Sequence, residues 1–143
     1  YKVTVNNGFV GVHFDISTAC KCHIRANCRM YLQAFRDHFG PGSLPLYASK
    51  AASFKQMYRI MAEEGMGVDV VSSGELYTAL SAGFPAERIY FHGNCKTDAD
   101  LAYGVSQGIG FFVADNREEL LVLEKTAATA RRSSLVGALS SVP

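Results

Sequence analysis

A lysine, Lys50, closes the short apolar run Leu44-Pro45-Leu46-Tyr47-Ala48-Ser49, and small residues with a helical pattern from Ser53 follow it at once. That succession predicts a strand-to-helix corner. An α/β protein keeps its chemistry at the carboxyl ends of its strands. An amine held there and partly desolvated loses its proton near neutral pH and condenses with an aldehyde. Most lysines are solvated surface groups, so the case for Lys50 rests on these surroundings. A carboxylate stands in the next apolar run, Val68-Asp69-Val70-Val71. Alternation puts Asp69 with Val71 on one face, and a carboxylate on a doubly covered strand needs a cation or hydrogen-bond donors beside it. Lys50, one strand away, is the natural partner; the plainer reading is an Asp that only tidies a strand end. His92 ends a third run beside Gly93. A single histidine in that position more often makes a fixed hydrogen bond than acid-base chemistry, so His92 is expected to shape a pocket wall.

These residues need elements to hold them, and from Leu44 onward short apolar runs alternate with amphipathic helical patterns. Such alternation is the mark of consecutive βα units feeding a parallel sheet. The first helix carries Phe54, Met57, Tyr58 and Met61, with a Ser53/Gln56 capping pair and a stop at Gly65. Its methionines and tyrosine read as core packing. The second strand leads to a helix opened by Ser72 with Glu75 and stopped at Gly83; the third, Ile89-Tyr90-Phe91, to a helix capped by Thr97 and ending at Gly108. A fourth strand over Ile109 to Val113 precedes the helix of Leu120 and Leu123, with Asp115 and Asn116 assigned to structure as caps. Lys50, Val71, His92 and Val113 recur at intervals of 21 residues. Equivalent corners at a fixed step predict strands whose carboxyl ends share one face, and right-handed crossovers curl the series one way. The expected fold is α/β, about half of a TIM-type (β/α)8 barrel, because a complete one takes about 250 residues.

Before these units, Ile24, Cys28, Tyr31, Leu32, Phe35 and Phe39 fall on one helical stripe, with Ser17 or Thr18 as cap and Gly40-Pro41-Gly42 as stop. The resulting division is an amino-terminal segment over 1–16, which is either an edge strand or without order, a partial barrel over 17–128, and a poorly specified tail over 129–143. The tail, rich in Ala, Ser and Arg, shows neither a clean strand nor a capped helix.

Composition bounds the function. The 143 residues are 48% hydrophobic and 19% charged with a net charge of +1, enough for one ordinary core and without the basic stripe that nucleic acid requires. No apolar stretch approaches the ~20 residues that span a bilayer, so neither a membrane nor nucleic acid is expected as a partner. Cys20, Cys22, Cys28 and Cys95 lack the spacing of a tetrahedral site. No metal is expected, and free thiols fit a cytoplasmic location. The start at Tyr1 rather than Met suggests a piece of a longer product.

The segments YASKA at 47–51 and EEGMGVDVVSSGELYTALSAGFPAERIYFHGN at 63–94, with the framework between them, resemble the amino-terminal half of the diaminopimelate decarboxylase family. The likeness runs from about Ile24 to Lys125. The resemblance implies a carboxy-lyase of the pyridoxal-phosphate-binding barrel type, which converts meso-diaminopimelate to L-lysine and carbon dioxide in lysine biosynthesis, usually as a homodimer. It implies that Lys50 holds the aldehyde of pyridoxal 5'-phosphate, that Asp69 and His92 lie beside the cofactor, and that Asn94 and Lys96 belong to a pocket motif usually reading HGNNK. Cys95 replaces the second Asn of that motif, and Ser73 stands where Gly is common. The family's glycine-rich phosphate loop, the acid for the pyridine nitrogen and later Cys and Tyr contacts would fall beyond residue 143. A fragment inactive by itself is therefore expected. The alternatives are a non-catalytic pyridoxal-phosphate-binding or regulatory barrel, or a related amino-acid decarboxylase or racemase.

Overall fold

In the computed structural model, residues 2–6, 9–13, 18–130 and 135–138 are described, with side chains placed over 20–130. The chain opens on an antiparallel hairpin, β1 (Lys2–Asn6) and β2 (Phe9–His13), with Val3 opposite Val12 and Val5 opposite Val10. The amino-terminal segment is thus ordered as a two-stranded sheet of its own. Helix α1 (Thr18–Phe39) follows and stops at Gly40, whose φ of +95° suits a residue without a Cβ.

The main sheet has five parallel strands in sequential order: β3 (Leu46–Ala48), β4 (Gly67–Val70), β5 (Ile89–Phe91), β6 (Phe111–Ala114) and β7 (Leu135–Ala138). Strictly sequential parallel order, with no reversal, is the order of a barrel sector rather than of a doubly wound sheet. The 21-residue step is the sheet register itself, since Ala48 pairs with Asp69, Asp69 with Tyr90 and Tyr90 with Phe111. The last step is longer, Phe111 pairing with Leu135. Strand β7 lies within the segment expected to be a poorly specified tail. That expectation is corrected: Leu135-Val136-Gly137-Ala138 is a short apolar run that β6 templates, and α5 (Arg117–Ala130) runs to its threshold. Four strands were expected here, and five are present among the described residues.

Helices α2 (Lys55–Glu63), α3 (Ser73–Ser81), α4 (Asp98–Gln107) and α5 cover the outer face. There Val68, Val70, Ile89, Phe91, Phe112 and Ala114 are buried against Tyr58, Ile60, Leu76, Ala79, Leu101, Val105 and Leu123. Burying each large side chain contributes about 1.5–3 kcal/mol, so this layer holds the sector together. The opposite pleat of the sheet presents Ala48, Asp69, Tyr90 and Phe111 in one row, and Tyr90 stacks on Phe111 at 4.1 Å between ring centroids.

Two local expectations change. The Ser53/Gln56 pair does not cap α2, because the Ser53 hydroxyl bonds Tyr58 Oη at 2.8 Å and the helix starts at Lys55 without a side-chain cap. The α1 stripe is only half buried: Cys28 and Leu32 reach the core, whereas Tyr31, Phe35 and Phe39 are exposed. Tyr31 and Phe35 line an apolar groove of about 460 Å³ beside the β3 edge, with Leu46, Met57 and Met61. Arg25 and Arg29 fasten α1 to the end of α2 through Glu64, at 2.7 and 2.6 Å, and Arg25 also bonds Glu63.

Candidate active site

The strand exits gather the predicted residues unequally. Strand β3 stops at Ala48, and a single 3-10 turn, Ser49–Ala51, carries Lys50 past the sheet. Lys50 is exposed rather than desolvated, whereas Asp69, Tyr90 and Phe111 on the inner row are half-buried. Ser49, by contrast, is 0% exposed. Its hydroxyl donates to Glu75 Oε2 at 2.5 Å, and its carbonyl accepts from Ala52 N–H at 3.1 Å. Glu75 Oε2 also accepts the Val71 N–H at 2.8 Å, so one carboxylate ties the Lys50 turn to the exit of β4.

Asp69 lies on the inner row in register with Ala48 and Tyr90. Its side chain is 23% exposed, and Oδ2 is 3.8 Å from His92 Nδ1. His92, rather than Lys50, is the basic group within ion-pairing distance among the described residues; the 3-10 turn has moved Lys50 out of line with the strand. Oδ1 of Asp69 is buried with no hydrogen-bond partner among them. Desolvation pushes the Asp69 carboxyl above the ordinary aspartate value; the charges of His92 and then Lys50 oppose this, and Glu75 adds to it. His92 continues the β5 ladder by donating its N–H to Val70 O at 2.9 Å. The chain then turns at Gly93, with φ of +128° and a Cβ position only 2.9 Å from Val71 O. Only glycine takes that path without strain.

The structure gives Lys96 a different setting from Lys50, Asp69 and His92. Its side chain is 1% exposed, and Nζ meets Gly93 O at 2.5 Å, Val113 O at 2.9 Å and Glu119 Oε1 at 2.7 Å. The two carbonyls accept hydrogen bonds from the ammonium, and the Glu119 contact is an ion pair, its Oε1 accepting no hydrogen bond among the described residues. Glu119 Oε2 in turn accepts the Asp115 N–H at 2.9 Å, and Asn116 Oδ1 caps α5 by accepting Glu119 N–H at 2.8 Å, which fulfils the structural role expected at 115–116. Lys96 and exposed Asn94 line a cavity of about 260 Å³ with Leu101 of α4 and Val122 of α5. That cavity sits in the helix layer. Sequence reasoning did not find the Ser49–Glu75 and Lys96–Glu119 contacts. The available signal was spacing, since Asn116/Glu119 repeats the Ser72/Glu75 pattern of cap and third helical residue.

An amine, an orphaned buried carboxylate oxygen and an imidazole on one open face fit a planar cofactor carrying an aldehyde and hydrogen-bonding ring substituents. The family model of the pyridoxal binding domain of pyridoxal-dependent decarboxylases matches residues 21–136. The chain belongs to the pyridoxal-dependent decarboxylases. Within that family it is 46% identical over 104 residues to a diaminopimelate decarboxylase of Staphylococcus aureus, which is 73% of this chain and 24% of the relative. It is 48% identical over 101 residues to that of Bacillus subtilis, covering 71% and 23%. Among solved structures, a diaminopimelate decarboxylase of Methanocaldococcus jannaschii superposes with a TM-score of 0.70 at 31% identity, over 81% of this chain and 27% of that one. The same decarboxylase in complex with L-lysine gives 0.69. The chain therefore spans about a quarter of the length of these relatives, and its sheet is a sector of the barrel expected from the sequence.

Proposed function

We propose that the chain is the cofactor-capturing sector of a diaminopimelate decarboxylase whose whole form converts meso-diaminopimelate to L-lysine and carbon dioxide as a cytoplasmic homodimer. The observation that carries this reading is Lys50 in the turn at the mouth of a parallel sector, near enough for its charge to act on Asp69, in a chain 46–48% identical to enzymes of that name. Bound pyridoxal phosphate supplies an electron sink for the bond broken at the amino-acid α-carbon. Lys50 offers the amine that captures the aldehyde, and its exposure gives a small molecule direct access. Asp69 leaves Oδ1 without a hydrogen-bond partner among the described residues, while its Oδ2 lies 3.8 Å from His92 Nδ1. His92 forms the wall next to the ring, its backbone fixed by β4.

The 143 residues hold the amine and its neighbours without the three quarters of the relatives' length that would complete a pocket. The chain by itself captures the cofactor and does not turn over substrate. Incubation with pyridoxal phosphate, borohydride reduction and peptide mapping test the first half: modification concentrated at Lys50 supports the reading, and equal modification of Lys50, Lys55 and Lys125 sinks it. Carbon dioxide release from meso-diaminopimelate by the purified chain would contradict the second half.

A further inference from the structure

We propose that Glu75, acting through the buried hydroxyl of Ser49, is the positioning residue that sets where the Lys50 amine stands relative to Asp69. The inference rests on the reading of Lys50 as the aldehyde-capturing amine. Lys50 itself is exposed, and β3 has already ended at Ala48. Sheet pairing therefore cannot fix it, and the 3-10 turn contributes one backbone bond, Ala52 N–H to Ser49 O at 3.1 Å. Tyr47 Oη donates to Ala52 O at 3.3 Å where the turn ends, and within the turn the buried restraint is the Ser49 hydroxyl, which is 0% exposed and donates to Glu75 Oε2 at 2.5 Å. A buried hydroxyl without an acceptor is costly, so the turn has a strong reason to stay where Glu75 is.

Glu75 is immobile for reasons of its own. It occupies the first turn of α3, its N–H is capped by Ser72 Oγ at 3.3 Å, and the same Oε2 accepts Val71 N–H at 2.8 Å. Val71 follows the strand that carries Asp69, two residues after it. One oxygen atom thus references the Lys50 turn to the Asp69 strand. Both contacts need an acceptor at that point and neither needs a negative charge, so a glutamine that turns its carbonyl oxygen the same way preserves the arrangement. Removing the acceptor frees the turn, and small misplacements of a reacting group lower rates steeply.

The experiment uses the 143-residue chain with pyridoxal phosphate, borohydride reduction and peptide mapping, and reads Lys50 labelling relative to exposed Lys55 and Lys125 of the same molecule. Circular dichroism confirms folding of each variant. Wild type is expected to prefer Lys50, and Ser49→Ala and Glu75→Ala to lower that preference about tenfold. Glu75→Gln is expected to restore most of it. A wild-type preference that survives both alanine variants overturns the positioning role while leaving the site reading intact. Loss in Glu75→Gln equal to that in Glu75→Ala also overturns it, because charge would then be what matters. Absence of any preference in wild type overturns the site reading, and this inference with it. Should Glu75→Ala fail to fold, Ser49→Ala, which removes a single oxygen atom, decides.

Discussion

Lys96→Met is expected to be among the most destabilising single substitutions in this sector. The side chain is 1% exposed; its ammonium donates to the carbonyls of Gly93 and Val113 and forms an ion pair with the Glu119 carboxylate, itself 8% exposed. Methionine matches the length of the stem and leaves both carbonyls and the carboxylate facing an apolar group. Breaking a buried pair from one side costs about 3–5 kcal/mol, because the surviving charge is uncompensated. At about 4 °C per kcal/mol for a domain of this size, the midpoint of thermal unfolding falls by about 12 °C or more. That loss is a large share of the ~5–15 kcal/mol that keeps a domain folded. Glu119→Gln in the Lys96→Met background neutralises the stranded carboxylate and leaves an oxygen for the Asp115 N–H. The double variant should therefore be more stable than the sum of the two single losses by more than about 1 kcal/mol. Urea unfolding followed by far-ultraviolet circular dichroism supplies the four free energies. If Lys96→Met lies within about 0.5 kcal/mol of wild type, the pair is not the buried clamp described here.

Three further outcomes follow from the geometry. The Glu64 carboxyl is held below its ordinary value by hydrogen bonds first from Arg29 and then from Arg25; its contribution is therefore present above the unfolded-state value and lost as pH falls through the lower folded value. Glu64→Gln should lower the melting temperature at pH 7, with the gap to wild type closing under acid, and a gap independent of pH would refute the linkage. Asp69 has the opposite sign: its carboxyl is raised first by desolvation, so ionisation weakens the fold as pH rises from the unfolded value through the folded one. Asp69→Asn should melt higher than wild type at pH 7 and equally below about pH 4, and it should weaken cofactor capture; a variant less stable at pH 7 would contradict this. Gly93→Ala places a Cβ 2.9 Å from Val71 O at φ of +128°, so urea unfolding should show a loss of about 1–3 kcal/mol, and an unchanged midpoint would argue against the turn.

The barrel order was legible because burial and register share one period. Apolar runs spaced by 21 residues are what parallel strands in constant register look like in a sequence. Strand β7 escaped notice because its step is longer and its four residues, Leu135-Val136-Gly137-Ala138, are too few for a pattern to stand out. The exposure of Lys50 was hidden for a different reason: solvation depends on what covers the inner face, and that surface is contributed by elements distant in sequence. Alternation gives a face but no distance, so the sequence does not decide which basic neighbour stands nearest Asp69; the structure puts His92 Nδ1 at 3.8 Å, with the Lys50 charge also acting on Asp69 from the turn after Ala48. Lys96 illustrates the limit most sharply. A lysine four residues after a strand-end histidine reads as a ligand contact or as surface, and two carbonyl acceptors and a carboxylate converging on it reveal it as interior.

Glu75, Asp100 and Glu119 all stand third in their helices, yet they serve different masters. Asp100 closes a capping box locally with Thr97, accepting both the Thr97 N–H at 2.9 Å and its hydroxyl at 2.7 Å. Glu75 and Glu119 are one methylene longer, and each reaches past its own cap to the N–H that precedes it, of Val71 and Asp115. From there each takes a partner from the neighbouring strand exit, the Ser49 hydroxyl by a hydrogen bond or the Lys96 ammonium by an ion pair. The choice of Glu over Asp at this position therefore converts a helix-start signal into a link between adjacent βα units. Such links place the strand-end residues from the helix layer, where the apolar core is already complete. The inner face can then remain open and polar at Asp69 and His92 without the site losing its geometry. Shortening Glu75 or Glu119 to Asp should keep the caps of α3 and α5 and sever the links alone, and hydrogen exchange at Val71 and Asp115 would report the loss directly, since those amides would forfeit their carboxylate partner. Unchanged protection at both amides in the two shortened variants would mean that the strand exits are held by the sheet and not by the helices.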